Sequence, residues 1–107
     1  MSAAVSTTSR YLVEWYRPNL TRQLIDDVVA DLDTATESMR ADGSSVWLLM
    51  TVAVPTDEVL YGVFAAESPD LVRTACERAG CLAERMSLDV DARTFPRASA
   101  SVERHAV

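Results

Sequence analysis

Two neighbouring segments of this chain leave no side for water. Ser45 to Val54 (SVWLLMTVAV) and Glu58 to Ala66 (EVLYGVFAA) are almost wholly apolar and rich in β-branched and aromatic residues. Pro55-Thr56-Asp57, a short polar connection suited to a hairpin, joins them. A strand buried on one face alternates apolar with polar residues, and these do not. Strict alternation puts Val46, Leu48, Met50, Val52 and Val54 on one face of the first segment and Trp47, Leu49, Thr51 and Ala53 on the other. In the second it sets Val59, Tyr61 and Val63 against Leu60, Gly62 and Phe64. Strands apolar on both faces need cover on both.

The flanking segments supply cover for one face. Arg10 to Tyr16 (RYLVEWY) reads as a strand stopped by Pro18. Thr21 then stands where a helix N-cap is wanted, and Ile25, Val28, Val29, Leu32, Ala35 and Met39 recur at helical spacing until Asp42-Gly43. The other side of that helix carries Asp26, Asp27, Asp31, Asp33 and Glu37, the polar face of an amphipathic helix lying on a sheet. Ser68-Pro69-Asp70 predicts a second helix, with a hydroxyl cap, proline in the first turn and an acid beside it. Leu71, Val72, Ala75, Cys76 and Ala79 form its buried stripe, and Gly80 ends it. Arg85 to Asp91 (RMSLDVD) alternates Met86, Leu88 and Val90 with polar residues and predicts a half-buried last strand.

The order is β-α-β-β-α-β, and the expected fold is an α+β ferredoxin-like sandwich: a four-stranded antiparallel sheet with both helices on one face. Residues 1–9 read as a disordered lead, 10–91 as the domain and 92–107 as a flexible tail. One apolar sheet face is left over, and in a domain of 107 residues that is a strong incentive to oligomerise. A homodimer closed sheet to sheet, an α/β-barrel-like assembly, is therefore expected. The alternative is that tail residues around Phe95 fold back over the face.

Charge narrows the partners. The chain carries a net charge of −6, and between Arg10 and Asp91 seven arginines face fifteen acids. An acidic body repels phosphate backbones, so no nucleic-acid partner is expected. The longest apolar run, Val46 to Val54, is nine residues, against about 20 for a bilayer span, and no secretory start is visible. A cytoplasmic location with no membrane partner is expected, which leaves Cys76 and Cys81 as reduced thiols.

Arg10 to Glu14 (RYLVE), the aromatic strand around Trp47, and SPDLVR, ERAG and AER within Tyr61 to Asp91 resemble a small bacterial domain family of unknown function. Its best-known members are ferredoxin-like homodimers described as nickel-binding or nickel-responsive, so the resemblance implies a dimer and leaves nickel as the one cofactor to consider, without carrying the metal across. The matching positions are Tyr61, Val72, Arg73, Gly80, Ala83 and Arg85. Where nickel-binding members carry a Cys after the tyrosine and a His after the Val-Arg pair, this chain has Gly62 and Thr74-Ala75-Cys76.

From the residues themselves no cofactor and no metal site are expected. The one histidine, His105, is the third residue from the end, and Cys76 and Cys81 lack the paired spacing of a zinc ribbon. No histidine stands where it would activate a serine, and Gly43, Gly62 and Gly80 are isolated, which excludes a phosphate-binding glycine loop. Glu14 breaks its strand pattern. It either faces a pocket as an acceptor of protons or cations, or pairs with Arg73 or Arg85 at an edge or interface. Trp47 and Tyr61 either line an apolar cavity or belong to the core. The expected function is a dimeric binding or regulatory protein. Its small apolar or amphipathic ligand would lie between sheet and helices, with Trp47 and Tyr61 as walls and Glu14 or Arg73 as polar anchor. The alternatives are a cofactor-free monooxygenase or isomerase, and a nickel binder by family inheritance.

Overall fold

The computed structural model describes residues 7–95. It contains β1 (Ser9–Tyr16), α1 (Arg22–Ala41), β2 (Val46–Val54), a 3-10 turn (Pro55–Asp57), β3 (Val59–Ala66), α2 (Pro69–Arg78) and β4 (Arg85–Ser87). The sheet is antiparallel throughout, in the order β2-β3-β1-β4, the ferredoxin-like arrangement. Residues 1–6 of the expected lead and 96–107 of the expected tail, His105 included, lie outside the described residues.

Local chemistry fixes the helix ends. The Thr21 side chain accepts a hydrogen bond from the Leu24 N–H at 3.1 Å, capping α1 as its sequence predicts. Both helices end in the same motif. Gly43 and Gly80 take positive φ, the Gly43 and Gly80 N–H groups donate to Arg40 and Glu77, and the following Ser44 and Cys81 N–H groups donate to Met39 and Cys76. This cap brings Cys81 back towards Cys76, so the two cysteines are the apolar contact that closes α2. Ser68 occupies the N-cap position of α2, but its hydroxyl makes no capping bond, and Pro69 and Asp70 mark that helix start instead.

The core lies between the helices and one sheet face. Tyr11, Val13 and Trp15 of β1, Leu60, Phe64 and Ala66 of β3, and Val46 of β2 meet Leu32 and Met39 of α1 and Val72, Ala75 and Cys76 of α2. Trp15 anchors this layer. Its Nε1–H donates to the Cys81 carbonyl at 2.9 Å, and its ring meets Phe64 edge-on at 6.5 Å.

Three expectations are corrected. Leu49 is the extra residue of a β-bulge: Leu48 pairs with Phe64 but Met50 with Val63. Two residues there oppose one, which shifts the alternation by a place. Met50, Val52 and Val54 therefore join Trp47 on the open face, while Thr51 and Ala53 join Val46 and Leu48 towards the helices. The last strand ends at Ser87 rather than Asp91, because Asp89 adopts a left-handed φ of 52° that extended pairing does not allow. The chain nevertheless stays beside β1, with the Val90 N–H donating to the Arg10 carbonyl at 3.0 Å. Glu58 belongs to the hairpin turn, not to the third strand, and is also left-handed.

Gly62 sits under the Trp15 indole. A Cβ there would come within 2.9 Å of the ring, and the ring is pinned by its bond to Cys81 and by Phe64. Gly62→Ala should therefore destabilise the fold by about 1 to 3 kcal/mol, the usual range for forcing extra volume into a packed core. Urea unfolding followed by far-ultraviolet circular dichroism measures this directly.

Candidate functional site

The space between sheet and helices is filled by side chains, so Glu14, Trp47 and Tyr61 do not line a cavity there. They lie on the opposite, open face. Arg10, Leu12, Glu14 and Tyr16 of β1 alternate with the core residues and share that face with Val59, Tyr61, Val63 and Ala65 of β3.

Glu14 is the exceptional group on this surface. Only 8% exposed, it sits directly between its cross-strand partners Tyr61 and Arg85. Its Oε1 accepts a hydrogen bond from the Tyr16 hydroxyl, and its Oε2 lies 3.7 Å from the Arg85 Nε. Of the two arginines the sequence offers as its partner, Arg85 is therefore the one that meets it. Donating to the Glu14 carboxylate is the main reason the Tyr16 phenol is held above its ordinary value, because ionisation would set two negative charges side by side.

Arg73 stands elsewhere, on α2, ion-paired with Asp70 at 2.9 Å. It lines a groove of about 390 Å3 between α2 and the connection to β4, together with Glu77, Leu82, Ala83, Glu84, Arg85 and Met86. Arg85 is the link: the residue lines the groove, and its guanidinium lies beside the Glu14 carboxylate. Of the four expected site residues, Glu14 and Tyr61 are thus cross-strand neighbours, while Arg73 stands apart on α2. Trp47 is separate, across from Ala65 on β2 with the Arg40 guanidinium 5.9 Å from its ring centroid.

Leu82, Glu77 and Arg85 complete the groove, and as ligand-contact candidates they were missed by the sequence reading. The one usable signal was Leu82, an apolar residue just after a helix-ending glycine and outside any periodic stripe. Nickel, raised only by the family resemblance, does not fit the donors present. Among the described residues no group of three or more His, Cys, Asp or Glu side chains converges. Burial pushes the Cys76 thiol up to about 12 and the Cys81 thiol up to about 11, whereas a thiol ligates as its thiolate. Among the same residues no helix is long and apolar enough to cross a membrane.

No family model and no curated protein matches the chain. Among solved structures it is similar to the crystal structure of SCO4226 from Streptomyces coelicolor A3(2), with a TM-score of 0.62 and 18% sequence identity over 80% of this chain and 100% of that one. At that identity the likeness shows a shared fold.

Replacing the carboxylate removes the charge that holds the Tyr16 proton. In Glu14→Gln the late-titrating phenol should move down towards the ordinary tyrosine range, by ultraviolet absorbance titration. The stabilisation from this hydrogen bond is complete below the ordinary phenol pKa of 10.0 and fades as pH rises through the higher folded value. A titration curve unchanged by the substitution would mean that Tyr16 does not donate to Glu14.

Proposed function

We propose that the chain is a small-molecule binding module that works as a homodimer, two copies closing their open sheet faces on each other. One observation carries the reading: on a face with no helix over it, Trp47, Met50 and Val52 stand 39%, 41% and 45% exposed beside Leu12, Val54 and Val63.

The size of this face suits a second copy. Three strands of eight or nine residues and one of three, rising about 3.3 Å per residue and spaced about 4.8 Å apart, span roughly 440 Å2 in projection. Side-chain relief enlarges this towards the roughly 800 Å2 that each partner contributes to a stable interface. Full burial of each large apolar side chain adds about 1.5 to 3 kcal/mol.

Other modes of association are disfavoured. The outer edge of β2 is broken by the Leu49 bulge, and the Val46 carbonyl is already taken by Arg40 at 2.9 Å. β4 is only three residues long. The outer side of α1 carries Asp26, Asp27, Asp31, Asp33 and Glu37, all exposed, which repel a second copy of the same charge. On the open face, by contrast, Glu14 already has Arg85 and Tyr16 beside it, so closure does not bury its carboxylate alone. With the interior filled, the ligand belongs at the rim, where Arg85 joins the face to the α2 groove.

The test is light scattering on the full chain at micromolar concentration. The wild type should have twice the chain mass. Val52→Asp loses apolar burial twice over in a two-fold interface, about 3 kcal/mol or more, and should weaken association roughly a hundredfold while the helical circular dichroism persists. A wild-type monomer overturns the reading.

A further inference from the structure

We infer that the groove between α2 and the connection to β4 binds a small zwitterion: a free α-amino acid with an aliphatic side chain. The groove is unusual in holding opposite charges that do not neutralise each other. Glu77 and Arg85 both line it, yet among the described residues Glu77 forms no ion pair, and Arg85 makes none closer than its 3.7 Å approach to Glu14. Arg73 is held only by Asp70, in an exposed pair of the kind that contributes little. Glu84 is already engaged, accepting from the Arg17 guanidinium and from the Tyr16 N–H at 3.1 Å.

A ligand carboxylate thus has Arg85 and Arg73 to meet, and a ligand ammonium has Glu77. A simple anion would face Glu77 within an acidic protein, and a simple cation would face two guanidinium groups. A molecule with both charges complements the lining as it stands.

Between the charges lies apolar wall. Ala83 and Met86 are half-buried, and Leu82 is 64% exposed on the lip, where it gains nothing unless something apolar rests on it. At about 390 Å3 the groove sits at the small end of ligand sites, in the range of a compact molecule.

The wall is also pre-set. The left-handed Gly80 turns the chain so that Cys81 goes inward and Leu82 outward. The turn is held at three points: Trp15 Nε1 on the Cys81 carbonyl at 2.9 Å, the Glu84 N–H on the Glu14 carbonyl at 3.2 Å, and Arg17 on the Glu84 carboxylate. A site held this way loses little entropy when it fills.

The inference deepens the binding-module reading but uses one chain only, so groove and dimer fail separately. The full chain is titrated with leucine, isoleucine, valine and methionine by calorimetry, with amide chemical shifts followed at Leu82 and Met86. At least one amino acid should bind and move those signals. Its N-acetyl form, lacking the ammonium, and its amide, lacking the carboxylate, should each bind at least tenfold more weakly, as should glycine. Glu77→Gln should lose tenfold or more with circular dichroism and light-scattering mass unchanged, and Arg85→Gln should lose as much with circular dichroism unchanged, while Arg93→Gln, whose partner is Asp91, should not.

Silence from all four amino acids overturns the inference, and so does equal binding of the blocked forms. A dimer that ignores amino acids removes this proposal alone. A monomer that binds them removes the dimer alone.

Discussion

Two helices cover one face of a four-stranded sheet and no more, and this chain has written apolar residues on both. That mismatch governs the rest of the molecule. On the covered side it yields a dense layer around Trp15, which reaches from the centre of the sheet to the end of α2 through its bond to the Cys81 carbonyl and leaves room for only hydrogen at Gly62. On the uncovered side it leaves Trp47, Met50 and Val52 facing water. Exposure of that extent on one contiguous face is what small monomeric domains avoid, since each such residue gives up stability that burial would supply.

The same geometry places the polar chemistry. β4 is short, so the edge of the sheet beside β1 is thin, and Arg85 borders both the open face and the α2 groove. Glu14 with Tyr16 on one side and the groove of Arg73, Glu77 and Leu82 on the other have Arg85 in common.

Much of the architecture was legible because it rests on period and punctuation. The helical stripes of α1 and α2, the Thr21 cap, the two glycine ends and the hairpin all follow from side-chain spacing or from φ preferences that single residues carry. The bulge at Leu49 was not legible. In a run apolar at nearly every position, adding one residue leaves no trace in the pattern, although it exchanges the two faces from Met50 onward. The early end of β4 was hidden similarly, since Asp89 fits an alternation that its backbone does not follow. For the site, Glu14 and a partner in either Arg73 or Arg85 could be anticipated from a carboxylate that broke its strand pattern, and the fold selects Arg85. The groove could not, because Glu77, Leu82 and Met86 come together only when the Gly80 turn folds the connection back against α2.

The central claim is that a second copy covers the open sheet face. Isotope-filtered NMR on a sample mixed from labelled and unlabelled chains reads that contact atom by atom. The account predicts cross-chain Overhauser effects from the Met50 and Val52 methyl groups to residues of the same face on the other copy. Methyl groups that report only their own chain and surrounding water, at concentrations where the protein is folded, would contradict it.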